Sequence, residues 1–134
     1  MRASDRQRMG TRGLEVTRLG LGGTAFGNMY ARLDETDAEA IVQAAYAKGI
    51  RYCDTAPLYG YGLSEARLGQ GLLSVPRDDM VLSSKVGYML VPRSEGQEDH
   101  TPFVDIPPLT SIFDYSREAC LLYTSDAADD DRSV

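Results

Sequence analysis

Two short apolar runs, each following a stretch of helical spacing, constrain this chain more than any other feature. The first is Ile50-Arg51-Tyr52-Cys53-Asp54 and the second is Met80-Val81-Leu82-Ser83-Ser84-Lys85-Val86. Ahead of the first, Ala38, Ile41, Val42, Ala45 and Tyr46 recur at the spacing of one helix face. Thr36 with Glu39 three residues later has the form of a capping box, and Gly49 stands where a helix can close in a left-handed residue. Between the runs, Ser64 is the expected cap of a second helix with Leu68, Leu72 and Leu73 inward and Pro76 beyond its end. Residues from about 7 to 23 read as a hairpin, turning at Gly10-Thr11-Arg12-Gly13 and leading into a strand. The order strand, helix, strand, helix, strand predicts an α/β fold with a parallel sheet.

After Val86 the pattern lapses. Residues 87–113 hold four of the six prolines and no sustained period, which predicts a long loop without secondary structure, a kind that is usually functional or disordered. Asp114 or Ser116 is then the expected cap of a further helix. Residues 120–134 lose the pattern altogether and read as a separate tail, artefactual or disordered, with acidic residues at Asp126, Asp129, Asp130 and Asp131.

Composition excludes several classes. A chain of 134 residues suggests one domain, and a net charge of −6 argues against binding duplex DNA or another polyanion. No apolar run approaches the ~20 residues of a membrane span. The N-terminal stretch is charged and lacks the apolar core of a secretory signal. Cys53 and Cys120 show neither Cys-x-x-Cys spacing nor the density of a disulfide scaffold. A reducing, cytoplasmic setting is expected, with no metal-ligating set, no nucleic-acid partner and no membrane partner.

If the two runs are parallel strands, their C-terminal ends bring Asp54, Tyr59 and Lys85 to one mouth. A free phenol, with a pKa of about 10, is a poor base at neutral pH. A neighbouring ammonium favours the phenolate, so Lys85 would tune Tyr59 while Asp54 holds the lysine charged. The segment Gly20-x-Gly22-x-x-Ala25 superficially matches a dinucleotide fingerprint, but that motif needs a helix opening directly after its glycines. The following Phe26-Gly27-Asn28-Met29 has no such pattern, so a compact Rossmann or flavodoxin-like domain is the weaker alternative.

The segments Gly13-Leu14-Glu15-Val16-Thr17-Arg18-Leu19-Gly20-Leu21-Gly22-Gly23, Asp54-Thr55-Ala56-Pro57-Leu58-Tyr59-Gly60, Gly62-Leu63-Ser64-Glu65 and Leu82-Ser83-Ser84-Lys85-Val86-Gly87 together resemble the aldo/keto reductase family. Phe113-Asp114-Tyr115-Ser116-Arg117 is similar to the start of that family's third barrel helix. Within the family the motifs are most similar to sugar and pyridoxal dehydrogenases of the D-threo-aldose, L-fucose or L-galactose type. The resemblance implies the N-terminal part of a (β/α)8 TIM barrel, with about three βα units over residues 1–119 and a non-family tail over 120–134. It also implies NAD or NADP as cofactor, and hydride transfer between nicotinamide and a carbonyl or alcohol carbon of a small sugar or aldehyde. Asp54, Tyr59 and Lys85 match the first three members of the family's tetrad, whose histidine comes from a later strand. His100, the only histidine, does not match it. Gly22, Gly23, Thr24 and Asp54 are the implied cofactor-facing residues. A second reading, that this polypeptide alone is a non-catalytic fragment or a cofactor-sensing barrel subunit, stays open at the level of sequence.

Overall fold

The computed structural model describes residues 2–122, so most of the expected tail 120–134 lies outside the described residues. The expected hairpin forms from β1 (Arg6–Met9) and β2 (Leu14–Thr17), paired antiparallel from Arg6↔Thr17 to Met9↔Leu14. Its inner end is fastened by Thr17, only 2% exposed. The Thr17 hydroxyl donates to Leu19 O at 2.7 Å and accepts from Arg51 N at 3.1 Å. Since Arg51 immediately precedes the next core strand, the hairpin closes the N-terminal end of the sheet and leaves the other end open.

Three short strands make that sheet: β3 (Leu21–Gly22), β4 (Tyr52–Asp54) and β5 (Val81–Ser83), all parallel, with β4 in the centre. Gly22 lies beside Asp54, and Asp54 beside Ser83. Side chains alternate across a strand, and here Cys53 turns to the core while Asp54, with Ser83 beside it, sits at the open end. The strands are shorter than the apolar runs, because Ile50, Arg51, Met80 and the residues after Ser83 fall outside the ladder.

Helix α1 (Glu35–Ala47) links β3 to β4, and α2 (Leu63–Gly71) links β4 to β5. Ala38, Val42, Leu68 and Phe26 form one buried cluster, and Cys53, Val75 and Met80 form another, with Leu21 and Leu72 packed against both. The helices approach closely, since a Cβ on Gly71 would stand 2.7 Å from Val42 Cβ. Gly49 ends the α1 region at φ +88°, as expected.

Several local expectations are corrected. The N-cap of α1 is Asp34, not Thr36, and it makes no side-chain cap bond; Leu33, held by Asn28 and Arg67, fixes the chain just ahead and starts the helix early. Ile41 is 42% exposed because α1 meets its neighbours through Ala38 and Val42 instead. Gly62, at φ +95°, is the N-cap of α2. Ser64 lies inside that helix, fully buried, where it serves tertiary contacts. Leu73 lies beyond the end of α2 and is exposed.

The largest correction concerns residues 87–113. Strands β6 (Tyr88–Pro92) and β7 (Leu109–Phe113) pair antiparallel over five residue pairs, from Tyr88↔Phe113 to Pro92↔Leu109. The prolines stand at the strand ends or in the connection, where a missing N–H costs no ladder bond. The Tyr88 and Phe113 rings meet edge to face at 5.3 Å. Beyond β7, residues 117–122 are helical. Ser116 is their cap, its hydroxyl accepting from Ala119 N at 3.1 Å. Among the described residues no helix is long and apolar enough to cross a membrane.

Candidate active site

Asp54, at the C-terminal end of the central strand, organises the open mouth of the sheet. Its two carboxylate oxygens have different partners: Ser83 Oγ donates to Oδ1 at 2.6 Å and Lys85 Nζ donates to Oδ2 at 2.9 Å. Ser83 is in turn linked to the Tyr52 hydroxyl at 3.0 Å. Burial alone would raise the Asp54 pKa, but the bonds from Ser83 and Lys85 prevail and hold it below the ordinary carboxylate value. Sequence reading missed Ser83. Its signal was available, because the register of two parallel strands ending together places it beside Asp54.

Lys85 lies two residues beyond β5 and bends back across β4. Besides Asp54 it donates to Thr55 O at 2.9 Å, and its Nζ stands 4.9 Å from the centroid of the Tyr59 ring. Partial burial opposes the lysine charge, yet its interactions with Asp54 and Tyr59 outweigh this and carry its pKa above the ordinary value. Both members of the ion pair remain about half exposed, as a site open to a small ligand requires.

Tyr59 is placed by backbone. The loop 55–62 folds over the 3₁₀ turn Thr24–Gly27, and Gly27 and Gly60 cross without intervening side chains. A Cβ on Gly27 would meet the main chain of Tyr59 and Gly60, and one on Gly60, at φ +67°, would meet Gly27. The turn replaces the α-helix that a dinucleotide fingerprint would need after Gly22, and α1 begins only at Glu35.

The four residues implied as cofactor-facing have different surroundings. Gly22 is exposed, and a Cβ there would meet nothing within 4 Å. Gly23 is buried: a Cβ would stand 2.7 Å from Ser64 Oγ and 2.8 Å from Asp54 O. Gly23 N donates to Asp54 O at 2.7 Å, and Ser64 Oγ donates to Gly23 O at 2.7 Å while bonded to Thr55 Oγ1 at 2.8 Å. Thr24 is half-buried at the start of the turn. Open backbone at Gly22, directly beside Asp54, is the feature that fits a flat ring approaching the mouth.

Two further residues support the site from behind and escaped sequence reading. Arg67 on α2 is 6% exposed and Asn28, left-handed at φ 64°, is 1% exposed. The Arg67 guanidinium donates to Phe26 O and Asn28 Oδ1 at 2.7 Å each, to Leu33 O at 2.8 Å, and to Glu35 Oε1 at 2.7 and 2.9 Å. His100 lies on the 93–108 connection, largely exposed, with Nε2 3.9 Å from Glu98 Oε2.

The aldo/keto reductase family model matches residues 18–117. The chain is 48% identical over 83 residues to D-threo-aldose 1-dehydrogenase of a Pseudomonas species, covering 62% of this chain and 25% of that protein. It is 41% identical over 97 residues to pyridoxal 4-dehydrogenase of Microbacterium luteolum, covering 72% and 28%. Among solved structures, an aldo-keto reductase from Bacillus halodurans in its holo form superposes with a TM-score of 0.68 at 30% identity, over 92% of this chain and 35% of that one. The chain thus spans about a quarter of the length of these curated relatives, and its fold is the N-terminal part of a (β/α)8 barrel. This chain belongs to the aldo/keto reductase family.

Proposed function

We propose that the whole enzyme is an NAD(P)-dependent oxidoreductase acting between a carbonyl and an alcohol carbon of a small sugar or aldehyde, in the cytoplasm. The observation that carries this reading is the Asp54–Lys85–Tyr59 arrangement at the strand ends, with Lys85 Nζ 2.9 Å from Asp54 and 4.9 Å from the Tyr59 ring. When bound, nicotinamide supplies or accepts the hydride at the reacting carbon. In reduction, Tyr59 gives its hydroxyl proton to the carbonyl oxygen, and the phenolate left behind is stabilised by the Lys85 ammonium. In oxidation, the phenolate takes the proton from the alcohol oxygen. Asp54 keeps Lys85 charged and aimed, and Ser83 keeps Asp54 aimed. Gly22, Gly23, Thr24 and Asp54 would hold the nicotinamide, and the exposed backbone of Gly22 would leave room for it. Similarity to sugar and pyridoxal dehydrogenases supports a polar carbonyl or alcohol substrate.

The full-length enzyme is tested against a panel of aldoses and short aldehydes with NADH, NADPH and their oxidised forms. Tyr59→Phe is expected to lower kcat by about 10²–10⁴-fold, the usual contribution of a positioned acid or base. Turnover within twofold of the wild type would sink the assignment.

A further inference from the structure

Lys85 is not the only group against Tyr59. The ring of Phe103 lies 6.3 Å from the Tyr59 ring, inclined by 42°. Phe103 belongs to the 93–108 connection, and that connection is fastened around it. Tyr30 N donates to Pro102 O at 2.8 Å, Met29 forms a β-bridge with Phe103, and Val104 N donates to Asn28 O at 3.0 Å. Asn28 Nδ2 donates to Asp105 O at 3.3 Å. Further out, Arg93 pairs with Asp99 at 2.9 Å, with side chains 21% and 14% exposed. Arg93 also donates twice to Leu109 O.

These bonds anchor residues 102–105 to residues 28–30, just past the turn on which the Tyr59 loop rests. A ring delivered by a segment so held restricts the tilt of the phenol. Placement matters because a misplacement of about 1 Å in a reacting group can cost on the order of 10²-fold in rate. We infer that Phe103 is a positioning residue that holds the Tyr59 ring toward Lys85, so that the β6–β7 hairpin takes part in proton transfer without touching the reacting atoms. This inference rests on Tyr59 being the proton-transfer group.

The test uses the full-length enzyme with the best substrate of the panel, carrying Phe103→Ala or Phe103→Tyr, each with Tyr59 intact or replaced by Phe. With Tyr59 intact, Phe103→Ala lowers kcat about tenfold and moves KM for the nucleotide less than twofold, and Phe103→Tyr recovers at least half of kcat. In the Tyr59→Phe background, Phe103→Ala changes the residual kcat less than twofold, because a residue acting through Tyr59 has nothing left to act on. The inference is overturned if Phe103→Ala keeps kcat within twofold, if it costs the same factor in both backgrounds, or if Phe103→Tyr recovers nothing. Should Phe103→Ala fail to accumulate folded, Phe103→Leu is held to the same criteria. A Tyr59→Phe enzyme with wild-type turnover is a distinct result that removes the proton-transfer reading and the role of Phe103 with it.

Discussion

Replacing Arg67 by Ala tests whether one buried guanidinium holds the floor of the site. Its five hydrogen bonds divide into two kinds. Those to Glu35 reach a carboxylate whose side chain is 71% exposed, and such a pair is worth at most about 1 kcal/mol after solvent screening. The bonds to Phe26 O and Asn28 Oδ1 are buried, and that to Leu33 O is partly so. Each charge-assisted bond of that kind contributes about 1.5–3 kcal/mol, less than additively, because water fills part of the space left behind. The expected loss is about 3–5 kcal/mol, the range found when one member of a buried charged network is removed. Against a total stability of about 5–15 kcal/mol, that is a substantial share of the margin. Urea denaturation of the full-length enzyme, followed by far-UV circular dichroism, should show a midpoint lowered by about 1 M or more for a slope near 3 kcal/mol/M. Glu35→Gln is the control and should cost under ~1 kcal/mol. Arg67→Lys should recover less than half of the Ala deficit, since one ammonium cannot span acceptors arranged for a planar fork. If Arg67→Ala costs no more than Glu35→Gln, Arg67 is only a surface ion-pair partner and does not hold the turn.

Four other perturbations have outcomes set by the structure. Gly23→Ala forces a Cβ against Asp54 O and Ser64 Oγ and should cost about 1–3 kcal/mol as overpacking, read as a lower urea midpoint. Gly22→Ala meets nothing, so it should leave that midpoint unchanged while raising KM for the nucleotide. Lys85→Met should reduce kcat by more than about 10²-fold yet change stability at neutral pH by under ~1 kcal/mol, because the ion pair is half exposed. The lowered Asp54 pKa gives a contribution present above the ordinary carboxylate pKa and lost as pH falls through the folded value. The raised Lys85 pKa gives one present below the ordinary lysine pKa and lost as pH rises through the folded value. The stability difference between wild type and Lys85→Met should therefore be flat across neutral pH and shrink at both extremes; a difference that grows on acidification would contradict it. Burial pushes the Cys53 thiol up to about 11, so iodoacetamide at pH 8 should label it only as fast as the protein unfolds. Rapid labelling of the native protein, followed by mass spectrometry, would refute that burial.

Much of the framework was legible because it obeys periodicity. The spacing of Ala38 and Val42, and of Leu68 and Leu72, marks two helices, and the runs ending at Asp54 and Val86 mark two strands. What escaped was set by partners distant in sequence. Arg67 reads locally as a solvated charge on a helix, and only the folded turn around Phe26, Asn28 and Leu33 supplies its acceptors. Ser64 resembles a cap because capping residues and buried hydroxyls are the same residue types; its real partners, Gly23 and Thr55, lie on other elements. The β6–β7 hairpin was hidden by the long connection between its strands and by prolines, which mark a turn more plainly than they mark a strand end.

The bare crossing of Gly27 and Gly60 bears on how such a site can change. Each glycine is blocked by the main chain of the other, so no alteration of a neighbouring side chain can make room for a substituent at either position. Stepwise substitution therefore cannot remodel the Tyr59 loop independently of the turn beneath it, and the two must be kept or lost together. Phe103 apart, the 93–108 connection is under no such restriction, since its ties to residues 28–30 run mostly through peptide groups that tolerate exchange of side chains. The placement of Tyr59 thus rests on an interlocked pair of backbones, while the segment packed against it is sewn on and open to exchange at most of its positions.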